Sequence, residues 1–188
     1  MRIQQHLRPG EQLLWCGTPD PAVWFTTADL YLIPFSIAWC GFAVFWEAGA
    51  SGGGGPFFAA WGAMFVVIGL YMVIGRFFYK HHRKKQTVYG ITTQRALVAV
   101  GAQSLTDSPW LGTPITIQRS RDGRHASVIL EGTAAPARSF GRRNTYRGWP
   151  GNSGLDAFPW RTASAPVAFY DVANPDSMLA ALDQARGQ

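Results

Sequence analysis

Two long runs of apolar residues dominate the first half of the chain, and neither shows the polar face that a solvent-facing helix needs. Residues 30–46, LYLIPFSIAWCGFAVFW, carry no charge, nor do residues 57–75, FFAAWGAMFVVIGLYMVIG. As helices they measure about 25 and 29 Å, against a bilayer hydrocarbon core of about 30 Å. Burying both all round in a soluble protein would take a large surrounding core, so the pattern predicts two transmembrane spans, at about residues 28–47 and 57–79. The second is nearly ideal. The first is short unless residues 23–28 extend it, with Asp29 at headgroup depth where its carboxylate keeps water. The connector EAGASGGGGP, residues 47–56, is flexible and holds no lysine or arginine, so it suits the turn of an antiparallel hairpin.

Beyond residue 86 the pattern changes to short β-prone runs between turns. Residues 87–92 and 95–100 predict one hairpin. Residues 114–119 and 125–130, around an Asp122-Gly123 turn, predict another. Residues 132–165 show no sustained period and read as a long loop with one or two short strands. Residues 166–170 read as a last strand. A closing helix follows, with Asn174 as its cap, Pro175 in the first position, Asp176 at the positive end and Gly187 as its stop. Met178, Leu179, Leu182 and Ala185 give that helix one apolar stripe, suited to covering the opening of a bent sheet. The fold class is therefore α+β, a two-helix hairpin followed by a β-roll capped by a C-terminal helix. The expected divisions are an N-terminal segment, residues 1–22, a hairpin region, 23–80, and a soluble domain, 81–188.

Charge gives the hairpin a direction. Residues 1–75 hold two basic and four acidic side chains, whereas residues 76–85 hold five basic and no acidic ones. A cluster placed directly after an apolar span marks its cytoplasmic edge, which predicts an inner-membrane, multi-pass protein with both termini in the cytoplasm. Trp24, Trp46, Trp61, Tyr31, Tyr71 and Tyr79 lie near the proposed borders, where amphipathic rings prefer to sit. Asp29 and Arg76 fall at the same depth, so an ion pair between the two helices is a hypothesis resting on depth alone, set against two separately solvated charges, since a partly solvated pair adds little. Small residues on both spans (Ser36, Cys40, Gly41; Ala59, Gly62, Ala63, Gly69) suit close packing within the hairpin or between copies. Cys16 and Cys40 are expected as free thiols, and no cleaved signal peptide is expected.

The chemistry is sparse. His6, His81, His82 and His125 lack the spacing of a zinc site, and the glycine run at 52–55 lacks the Lys-Ser/Thr of a phosphate loop. No metal, no cofactor and no enzymatic reaction is expected. Binding has more support. Arg76, Lys80, Arg83, Lys84 and Lys85 would lie against anionic headgroups of the cytoplasmic leaflet, each attracted by about 1 kcal/mol. Arg142, Arg143 and Arg147, interleaved with Tyr146 and Trp149, form a second basic and aromatic group that suits a partner protein or headgroups, or else a solvated loop. No recognised nucleic-acid motif accompanies the charge, so nucleic acid is not an expected partner.

Two motifs flank the spans. Residues 7–19, LRPGEQLLWCGTP, are similar to the opening L-x-P-G-E-x-(x)-L-W-x-G-x-P of the bacterial PH-like (pleckstrin-homology-like) domain membrane proteins. Residues 87–97, TVYGITTQRAL, are similar to that family's T-x-Y-x-(I/L)-T-x-x-R-(A/L)-(L/I). The resemblance implies a PH-like barrel attached to paired membrane helices, and a fold rather than a reaction. Thr92 and Arg95 read as structural, the hydroxyl satisfying turn amides and the guanidinium pairing across the hairpin. Trp15 packs on the soluble domain or lies at the interface. The expected function is a membrane-anchored, non-enzymatic interaction or assembly module at the cytoplasmic face. The alternative is a small accessory subunit bound through its spans to a larger membrane complex; a homo-oligomer is a further possible assembly.

Overall fold

The computed structural model describes residues 3–26, 28–50, 53, 55–102, 104–130, 152–155 and 167–187. Both apolar runs are helices. The first, α1, is Asp29–Ala50. The second, α2, is Gly55–Leu70, and it continues through a π turn, Tyr71–Gly75, into α3, Arg76–Gln86. Together these last three make one helical rod of 32 residues, about 48 Å long. Both helices are long and apolar enough to cross a membrane. They pack closely where glycine permits it: a Cβ on Gly69 would stand 3.0 Å from the Cys40 Cα.

The remainder is two antiparallel sheets and a closing helix. β1 (Leu13–Gly17), β2 (Thr87–Thr92), β3 (Arg95–Val100) and β4 (Ser104–Pro109) form the first sheet in that order. β5 (Ile115–Arg119), β6 (His125–Leu130) and β7 (Val167–Ala173) form the second. Tyr89, Ile91 and Ala96 from the first sheet meet Val128, Leu130 and Phe169 from the second in one core. Helix α4, Asp176–Arg186, closes that core with Met178, Ala181, Leu182 and Ala185, the i, i+3, i+4, i+7 face of an amphipathic helix.

Both predicted hairpins are present, β2 with β3 and β5 with β6. Three other features differ from the sequence reading. First, residues 1–22 are not a segment apart. β1 pairs with β2, and Ile3, Leu7 and Leu13 cover Leu97 and Ala99 on the outer face of the first sheet. The helical hairpin is therefore inserted between two neighbouring strands of one sheet. Second, β4 escapes periodicity because SLTDSP is an edge strand whose side chains are almost all exposed, so no burial pattern marks it. Third, Asn174 makes no side-chain cap. It adopts φ +50°, a conformation asparagine tolerates, and its backbone N–H donates to the Arg124 carbonyl, while Pro175 occupies the cap position. Of the irregular stretch at 132–165, only residues 152–155 are among those described.

The insertion has a direct consequence for folding. A chain beginning at Gln86 lacks β1 and uncovers Leu97 and Ala99, so it should show no cooperative thermal unfolding by circular dichroism. Joining residues 1–22 to 83–188 through a short Gly-Ser linker should restore a cooperative transition.

Candidate functional site

The residues that join the helical hairpin to the sheets form a buried polar neck. Arg76, Lys80 and Lys84 recur every four residues on α3, so they share one face, and that face points inward. Opposite runs the irregular segment leading into α1, whose carbonyls have no strand or helix to satisfy them. The Lys84 ammonium donates to the carbonyls of Asp20 (3.1 Å) and Val23 (2.7 Å) and to the Asp171 carboxylate (2.6 Å), which uses all three of its protons. Lys80 donates to the Trp24 carbonyl at 3.0 Å. His81 lies 3.1 Å from the Pro21 carbonyl and stacks on the Trp24 indole.

Arg76 is the deepest of the three. Its Nε donates to the Met72 carbonyl at 2.8 Å, and its Nη1 reaches the Asp29 carboxylate at 2.5 Å and the Ser153 carbonyl at 3.3 Å. The guanidinium also lies over the Phe77 ring, 4.3 Å from its centre. Asp29 uses its other oxygen to accept from the Thr26 amide and hydroxyl, just ahead of α1. Residues 152–155 seat against this pair. Tyr71 donates to the Gly154 carbonyl at 2.6 Å, and Asn152 donates to Asp171 at 2.8 Å. Only glycine fits at 154, where φ is +78° and a Cβ would stand 2.4 Å from the Arg76 carbonyl oxygen.

A second buried cluster ties the N-terminal segment to the β2–β3 turn. Thr92 donates to Glu11 at 2.6 Å and accepts from the Arg95 amide at 3.0 Å. Arg95 grips Glu11 through Nε and Nη2 and reaches Asp107 at 2.8 Å. Burial alone would raise the Glu11 carboxyl, but hydrogen bonds from Arg95, the Arg8 amide and Thr92 hold it down at about 2. The two motifs noted in the sequence, eighty residues apart, thus meet at these side chains. Trp15 packs on Phe169 and places its Nε1 3.3 Å from the Ser177 hydroxyl, so it belongs to the soluble part.

The Asp29–Arg76 pair, a hypothesis on depth alone, is present. The lipid-contact expectation is revised for three of its five residues. Arg76, Lys80 and Lys84 are buried against protein acceptors, which leaves half-buried Arg83 and exposed Lys85 at the surface. Arg142, Arg143, Tyr146, Arg147 and Trp149 lie outside the described residues. Nothing local in the sequence marks Asp20, Asp171 or Ser153 as acceptors of this neck. The 76–80–84 spacing was a signal that the three cations share a face, but it does not name the acceptors. Among the described residues no group of His, Cys, Asp or Glu could hold a metal ion.

Removing one partner of a buried pair strands the other, so Arg76→Met or Asp29→Leu should each cost about 3–5 kcal/mol of stability. The double variant should recover much of that loss, measured by thermal unfolding in detergent. Glu11 sets a pH dependence. Its pKa is depressed on folding, so its contribution is complete above pH about 4.5 and falls away as pH drops towards 2. The acid-unfolding midpoint should shift upward in Thr92→Val, which removes one of the bonds holding that carboxylate. Set against family models, curated proteins and solved structures, the chain matches none of them.

Proposed function

We propose that this chain is a membrane-anchored, non-enzymatic interaction or assembly module. Its helical hairpin crosses the inner membrane, and a PH-like domain is held against the cytoplasmic face. The observation that carries this reading is the insertion of the hairpin between β1 and β2, locked at the neck by Arg76, Lys80 and Lys84. A domain on a flexible tether samples many orientations; this one is bound to its anchor by two chain crossings and by a buried polar stripe. That is the construction of a platform that presents a fixed surface at a fixed height.

The PH-like assignment is supported by the four-plus-three antiparallel arrangement closed by a C-terminal helix, together with the contact between the two resembling motifs through Glu11, Thr92 and Arg95. Membrane crossing is supported by the largely exposed apolar faces of both helices, with Phe35, Phe42, Phe45, Phe57 and Val67 each at least half exposed. The cationic end of α3 favours the cytoplasmic placement of both termini. The same exposed faces favour the second reading, an accessory subunit whose spans bind a larger membrane complex.

Exchanging the part of the hairpin between Leu30 and Leu70 for an unrelated two-span hairpin, with Asp29 and residues 71–86 kept, separates the two. If mild-detergent affinity purification still retrieves the same partners, the soluble module is the binding element. Loss of those partners from a chimera that remains folded and membrane-bound transfers the role to the spans.

A further inference from the structure

The direction in which each side chain of the neck points sets where lipid ends and headgroups begin. Along α3 the charges at 76, 80 and 84 face protein, so charge in the sequence is not charge on the surface there. The outward positions read differently: Phe78 is 64% exposed, and the next fully outward residues are His82 and Lys85. On the segment facing it, Phe25 is 67% exposed and Trp24 38%. These rings pack on one another, Trp24 edge-on to Phe78 at 6.4 Å and Phe25 edge-on to Phe77 at 5.6 Å. The apolar surface of the hairpin therefore continues past Arg76 to an aromatic collar, and only then becomes polar.

We infer that the cytoplasmic edge of the hydrocarbon lies at this collar, between Phe78 and His82, and not at Arg76. The inference rests on the membrane-hairpin reading and adds a lipid-contact surface formed by Trp24, Phe25, Phe77 and Phe78. It lengthens both spans: Trp24 and Phe25 add lipid-facing rings ahead of α1, whose part from Asp29 to Trp46 is about 27 Å of helix, and the stretch from Phe57 to Phe78 is about 33 Å. It also places the Asp29–Arg76 pair inside the bilayer. Two opposite charges in contact enter lipid as a neutral unit, with the carboxylate saturated by Thr26 and the guanidinium shared among Asp29, Met72 and Ser153. Ser153 and Gly154 reach that same depth as irregular backbone, which a bilayer tolerates only where protein covers it, and both residues are buried.

Single cysteines in the full chain, in a Cys16→Ser, Cys40→Ala background, test the edge. The chain is reconstituted in phosphatidylcholine–phosphatidylglycerol vesicles with its termini outward and labelled with a membrane-impermeant maleimide. Met64→Cys and Phe78→Cys should label at least tenfold more slowly than His82→Cys and Lys85→Cys, and Phe25→Cys should follow Phe78→Cys, giving an independent reading from the other strand of the neck. Labelling of Phe78→Cys and Phe25→Cys as fast as His82→Cys, with Met64→Cys still slow, overturns the edge and leaves the membrane reading standing. Slow labelling at His82→Cys overturns the edge in the other direction. Fast labelling at Met64→Cys overturns the membrane reading itself.

Discussion

Burying a cation is costly, and the structure buries three of them in a row. Arg76, Lys80 and Lys84 can leave water only because each finds acceptors that would otherwise be stranded. The irregular segment from Asp20 to Asp29 supplies carbonyls with no ladder partner, and Asp29 and Asp171 supply the countercharge. The coil supplies acceptors and the cations supply donors, so each side satisfies the other where helices and sheets meet.

Asp171 illustrates how far this requirement reaches. It sits at φ +50° within β7, next to a register irregularity between β6 and β7, and its carboxylate is shared by Lys84 and Asn152. A break in strand regularity re-aims a side chain, and here it is aimed at the neck. The loop at 152–155 is held by the same groups, through Asn152 on Asp171, Ser153 on Arg76 and Gly154 on Tyr71. The π turn that carries Tyr71 lies where the apolar rod becomes the cationic one. Sheet, loop and helix thus converge on one stripe of charge.

The second buried cluster does for the soluble domain what the stripe does for the neck. Arg95 and Thr92 bring the N-terminal segment onto the β2–β3 turn through a single carboxylate, Glu11. Strands separated by the whole helical hairpin are thereby closed into one sheet. Among the described residues, helices and sheets are therefore joined through buried polar contacts at the neck, where both chain crossings pass.

The local elements were legible in the sequence because each depends on a short-range rule: long apolar runs, two β-hairpins with their turns, and a closing amphipathic helix. What the sequence alone could not show were consequences of long-range contact. Nothing in residues 13–17 announces a strand, because their pairing lies beyond the helical hairpin in β2. The basic stretch after the second apolar run reads as a surface feature, since solvated charge is the rule; the burial of Arg76, Lys80 and Lys84 depends on carbonyls and carboxylates as far as 87 residues away. Composition and periodicity determined the two apolar helices, the two hairpins, the last strand and the closing helix; tertiary structure decided the two remaining strands, β1 and β4, and which way the charges face, because the free energy of a cation is set by the acceptors around it and not by its neighbours in the chain.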